Sequence, residues 1–112
     1  MKVNILTKGF ISPNSRGWLY PIVKNKLRLS KMGIDLNFFL ENSEDFKFCD
    51  AVIVESKFFR DYWIKDKEKI FEFLTNLKTK NNKVFFYDLG DSTYSWVLEV
   101  LPYVDKLFKT FV

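Results

Sequence analysis

The chain has no histidine. Its 112 residues therefore supply no imidazole base, no histidine-ligated zinc and no Ser-His or Cys-His dyad of their own. Cysteine is almost as scarce. Cys49 stands alone, which excludes an internal disulfide and fits a reducing, cytoplasmic compartment. Arginine makes up only 3 of the 18 basic residues. A nucleic-acid reader usually clusters arginines for bidentate contacts, so the net charge of +4 is read as solvated lysine-rich faces, and no nucleic acid is expected. A peripheral contact with anionic lipid, at the inner face of the membrane, stays open because basic and aromatic residues are intermixed. No apolar run approaches the roughly 18 residues of a membrane span. The opening MKVNILTKGF has the pattern of a strand, not of a signal peptide.

What the chain has in excess is aromatic area. Thirteen Phe, five Tyr and three Trp suit either a bulky core or a core with an additional exposed apolar face. Internal repeats, low-complexity segments and linkers are absent from the sequence, so residues 1–112 read as a single domain.

Periodicity places alternating strands and helices along this domain. KVNIL (2–6) is a short β-rich run, and TKGFISPNSRG is a loop of turn residues. From Trp18 a helix is expected, with Trp18, Ile22, Asn25, Leu29 and Met32 along one face and Leu19, Val23 and Leu27 widening the stripe. Pro21 falls in its first turn on this reading, and Gly33 closes it with a left-handed residue. IDLNFFL (34–40) and CDAVIVES (49–56) read as strands, the second with the continuous apolar run of a strand buried on both faces. KFFRDYW and KEKIFEFLTNLKTKNN read as helical, with a charged hinge at 65–68 and Ile70, Phe73, Leu74 and Leu77 as the second stripe. KVFFYDLG (83–90) is a fourth strand, TYSWVLEVLPYV a third helix and DKLFKTFV (105–112) a fifth strand.

The implied class is α/β: a doubly wound, mostly parallel five-stranded sheet, Rossmann-like, with helices on both faces and a strand order of 3-2-1-4-5. The sequence stops on an apolar strand, which suggests the N-terminal part of a longer protein, with a second α/β domain or self-association covering that edge.

Ligands of such sheets bind beyond the carboxyl ends of the strands, where strand order reverses. The expected order puts the loop after the first strand beside DLGDST after the fourth. Asp88, Asp91 and Ser92, with Gly90 and Thr93, would then line a crevice mouth, and Trp18 could stack on a sugar or base. Capping explains much of the same pattern: Asp91 or Ser92 is a good N-cap and Gly90 a turn residue. Asp88 and Asp91 are three apart but have no evident third ligand, so no metal is expected, and no cofactor. The first loop matches neither G-x-x-x-x-G-K-[ST] nor G-x-G-x-x-G. Gly9 and Gly17 can be read as tight-backbone residues, and Arg16 as solvated or as an anion contact. Glu55 and Lys57, at the end of the third strand, read as a cap or an ion pair. A receiver domain needs acids after its first strand, where this chain has Thr7 and Lys8.

KMGIDLNFF, CDAVIVES, KVFFYDLGDS and VDKLFKTFV, in this order, resemble the N-terminal half of a GT-B-type glycosyltransferase. The resemblance implies a domain that binds a sugar or lipid-linked acceptor across a cleft from a second domain holding the nucleotide-sugar. Carried over, it places Gly9 and Gly17, with Asn14 and Arg16, near the donor phosphates, and Asp88 and Asp91 at the acceptor cleft. A base would have to be a carboxylate. The competing readings are a stand-alone flavodoxin-like interaction module and a nucleotide-binding regulatory domain.

Overall fold

The computed structural model of the chain describes residues 1–40, 49–59, 62–80, 83–89 and 98–109. Five strands form one parallel sheet: β1 (Lys2–Leu6), β2 (Asp35–Phe39), β3 (Ala51–Glu55), β4 (Lys83–Asp88) and β5 (Lys106–Lys109). The helices are α1 (Pro13–Lys24), α2 (Lys26–Lys31), α3 (Tyr62–Lys65) and α4 (Lys67–Lys80). The α/β class is as expected from the sequence. The strand order is 2-1-3-4-5, however, not 3-2-1-4-5.

Burial explains the difference. Ala51, Val52 and Val54 leave β3 without a solvated face, so it belongs in the middle of the sheet, between β1 and β4. The strand β2 opens with an exposed residue and buries only Leu36 fully, and it takes the edge.

Alternation along the strands sorts two cores. On one face Val3, Ile5, Leu36 and Ala51 pack with Leu19 of α1, supported by Trp18, Ile22 and Leu29. On the other face Leu6, Val52, Val54, Val84 and Phe86 meet Ile70, Leu74 and Leu77 of α4. Much of the aromatic excess is spent on this second face. Phe59 packs edge-on to Trp63 and Phe73 and stacks on Phe86, with ring centroids 5.6, 5.6 and 6.3 Å away. The Trp63 indole N–H donates to the Ser56 carbonyl at 2.7 Å, so its polar edge is not left bare. Asn4 is fully buried on the same strand face as Leu6, and neither of its amide atoms is hydrogen-bonded.

The first helix departs from expectation. It opens at Pro13, not near Trp18, with proline in its first turn where a missing N–H costs nothing. Pro21 is therefore interior to the helix, where its ring opposes the carbonyl of Gly17 one turn back. The helix runs to Lys24 and breaks at Asn25, whose side-chain amide bonds the Pro21 carbonyl at 2.7 Å. The stripe is only partly buried: Leu29, past the break, still packs on the core, but the widening positions do not. Leu19 is buried and Ile22 half-buried, but Val23 is 38 %, Leu27 79 % and Met32 69 % exposed. The end of α2 is as expected: Gly33 has φ +88°, with Gly33 N–H to Ser30 and Ile34 N–H to Leu29, the double bond of a Schellman motif.

The second half of the chain follows its pattern more closely. Asp66 separates α3 from α4 within the expected hinge, and Ile70, Leu74 and Leu77 are buried as the stripe required. The strand β5 is aligned by Asp105, whose backbone N–H bonds the Val84 carbonyl and whose carboxylate accepts the Val84 N–H at 2.7 Å. Residues 90–97, the start of the expected third helix, lie outside the described residues. The part that is described contains a 3-10 turn, Leu101–Tyr103.

The two leucines make a direct comparison. Leu74→Ala is expected to cost about 2–5 kcal/mol through lost packing and a residual cavity. Leu27→Ala should stay within about 0.5 kcal/mol of the parent. Urea denaturation of both variants reads the difference, and comparable losses would mean that the apolar stripe continues past Asn25.

Candidate functional site

With order 2-1-3-4-5 the reversal of strand order lies between β1 and β3. The position where a ligand is expected therefore moves to the loops after those two strands, away from the pairing of β1 with β4. Leaving β1, Thr7 is buried and extends the ladder through its N–H to the Phe39 carbonyl at 3.0 Å. Its hydroxyl accepts the Gly9 N–H at 3.0 Å, which starts the 3-10 turn Gly9–Ile11. Gly9 has φ +79°, and a Cβ there would lie 2.8 Å from Leu40 Cδ2. The glycine answers a backbone requirement.

The first turn of α1 then reaches across two strand ends. Ser15, fully buried, donates its hydroxyl to Glu55 Oε2 at the end of β3. One residue earlier, Asn14 donates its amide to the Leu89 carbonyl just past β4 at 3.0 Å. Ser56 completes the bracket, its hydroxyl accepting the Leu89 N–H at 3.0 Å. So the loop after β1 does meet the end of β4, but by way of α1 and over the top of β3.

Glu55 is the unusual group. It has no exposed surface, and its Oε1 makes no hydrogen bond. Burial pushes its carboxyl above the ordinary glutamate range. The Ser15 hydroxyl opposes that shift most, followed by the backbone amides of Phe58, Lys8 and Lys57, which face the carboxyl without bonding Oε1. Among the described residues, no three acidic or thiol side chains gather in a way that could hold a metal ion.

The residues singled out in the sequence are distributed as follows. Asp88 is buried at the last position of β4 and alternates with Tyr87, which pairs with Glu55, so the two acids belong to opposite faces of the sheet. Asp91 and Ser92, like Gly90 and Thr93, lie outside the described residues. Trp18 is half-buried and packs against Tyr87, with ring centroids 5.3 Å apart; Tyr87 in turn stacks on Phe108 at 4.8 Å. Asn14, Arg16 and Gly17 are helical and not loop residues, because α1 opens at Pro13. Asn14 is in the bracket, while Arg16 and Gly17 are solvent-exposed. Gly9 gives its N–H to Thr7, which leaves it no amide to offer a phosphate.

Sequence reasoning missed Ser15 and gave Glu55 a generic role. The available signal was an acid closing the most apolar strand of the chain, which has to be neutralised or hydrogen-bonded once that strand is central. No protein-family model, curated protein or solved structure matches the chain.

Two outcomes follow from this geometry. Gly9→Ala forces an L residue into the left-handed region and should cost about 1–2 kcal/mol in urea denaturation. Equal stability would show that the turn adjusts freely. For Glu55, the folded-state pKa lies above that of the unfolded chain, so the folded protein holds the proton more tightly. The stability this proton contributes is complete below the ordinary value of 4.5 and is lost as pH rises through the folded value. Glu55→Gln stays neutral and should therefore gain stability relative to the parent as pH rises. Parallel pH profiles for the two proteins would remove Glu55 as a titrating group.

Proposed function

We propose that this domain is the acceptor-binding half of a glycosyltransferase, working in the cytoplasm on a sugar or sugar-like hydroxyl. The observation that carries the reading is the bracket at the carboxyl edge of the sheet, where Ser15 and Asn14 tie the start of α1 to the ends of β3 and β4. Lys8 and Lys57, whose backbones face Glu55, and Ser12, just before the helix, are half-buried, as is Asn14. A sugar hydroxyl both donates and accepts, and it suits a mouth of mixed hydroxyl, amide and ammonium groups.

A diphosphate is served less well. The Gly9 amide is already committed to Thr7, and the buried group beneath the mouth is an acid. This favours the acceptor over the donor as the ligand, and on this reading a second domain holds the nucleotide-sugar. In transfer, the acceptor oxygen bonds to the anomeric carbon as the bond to the diphosphate breaks, and the hydroxyl proton passes to a base. Glu55 contributes as a positioning residue, holding Ser15 and with it the first turn of α1.

Amide chemical shifts of the labelled protein test this. Titration with a neutral disaccharide should perturb residues 7–15, 55–58 and Leu89 together, and a nucleoside diphosphate should bind weakly. Tight nucleotide binding would replace this reading with the regulatory-domain one. Saturating sugar without perturbation at these positions would withdraw it in favour of a non-catalytic interaction module.

A further inference from the structure

The first 34 residues contain no acid. Seven lysines and arginines lie there, while residues 35–112 carry 11 basic and 14 acidic side chains. The net charge of the chain thus hides a division into a basic N-terminal segment and a mildly acidic remainder. This segment contains α1 and α2, and it is also where the expected apolar stripe is only partly buried.

Arg16, Tyr20, Val23 and Lys24 are the exposed residues of α1, at helical spacing i, i+4, i+7 and i+8; Tyr20 and Lys24 lie opposite the core-facing Trp18 and Ile22, and Arg16 and Val23 sit at the margin beside buried Leu19. Tyr20 is 60 % exposed. Past the break at Asn25, Leu27 and Lys31 occupy the side of α2 opposite half-buried Leu29. No ion pair among the described residues engages Arg16, Lys24, Arg28 or Lys31. Large apolar side chains exposed together are unusual on a monomer's surface, and among the described residues no acidic side chain pairs with the cations between them.

We infer that the exposed side of α1 and α2 docks on an anionic lipid surface. The cations attract the headgroups, while Tyr20, Val23 and Leu27 enter the boundary between headgroups and acyl chains. Charge complementarity selects this occupant. An acidic protein groove would also answer the cations, but an anionic bilayer matches both the charge and the interspersed aliphatic side chains. Nucleic acid gives Val23 and Leu27 nothing to contact, since its affinity comes from phosphates, stacking and base edges. The surface is distinct from the bracket at Glu55, and the inference does not depend on the function proposed above.

Co-sedimentation with vesicles tests it. One set is phosphatidylcholine alone, the other contains roughly 30 mol% phosphatidylglycerol, each at about 0.1 M and about 0.5 M salt. The protein should partition onto the anionic vesicles at low salt, leave them at high salt and ignore the neutral ones. Lys24→Glu with Arg28→Glu and Lys31→Glu should lower the partition coefficient at least about tenfold. Val23→Ser with Leu27→Ser should lower it several-fold and leave circular dichroism unchanged, because both side chains are exposed. Absence of binding to anionic vesicles would overturn the inference, as would wild-type binding by the charge-reversed variant. Binding of an RNA oligonucleotide that charge reversal abolishes, with lipid binding insensitive to the serine variant, would overturn it in favour of a nucleic-acid surface.

Discussion

The burial of β3 on both faces governs the rest of the molecule. A strand with parallel neighbours on each side and helices above and below has no solvated face on which to place a polar side chain. Ala51, Val52 and Val54 satisfy that condition, and Glu55, the next residue after Val54, does not. The resulting carboxyl is desolvated, and Ser15 is the side chain that answers it. Because Ser15 lies in the first turn of α1, the compensation of one buried acid also fixes where the helix begins relative to the sheet. Asn14 and Ser56 extend the same solution to the end of β4. The polar bracket at the carboxyl edge can thus be read as a consequence of ending a fully buried strand on a glutamate.

The helix so anchored has two different ends. Its first turn is held over β3 and β4 by side-chain hydrogen bonds. Its later turns carry Pro21 and then yield to Asn25. Past the break only Leu29 keeps its place against the core, while Leu27 and Met32, which an unbroken helix would have carried along the stripe, are exposed. The acceptor site and the lipid-facing side proposed here share one helix: Asn14 and Ser15 of its first turn serve the former, and the exposed residues from Arg16 to Lys24 the latter.

Much of the architecture is legible from residue pattern. The strand at 2–6, the central run of Ala51 to Val54, the stripe of Ile70, Leu74 and Leu77 and the left-handed Gly33 each rest on local periodicity or backbone geometry, and each is found as the pattern implies. The site is less legible. Gly9 reads equally well as a phosphate-loop glycine or a turn glycine until the Thr7 hydroxyl is seen to take its N–H. Arg16 and Gly17 look like loop residues until Pro13 starts the helix ahead of them. Ser15 carries no signal of its own, because a serine in a turn-rich stretch is ordinary.

By itself the sequence determined the α/β class, the number and approximate bounds of the described strands and the side of α4 that would be buried. These depend on hydrophobic period, and period is a local property. Tertiary structure decided the strand order and the identity of the strands flanking the switch point. It also decided the pairing of Ser15 with Glu55 and the exposure of Tyr20, Val23 and Leu27. Those depend on which apolar strand wins the centre of the sheet and on where a helix breaks. Both outcomes follow from competition among distant segments for the same buried volume, which no window of the sequence records.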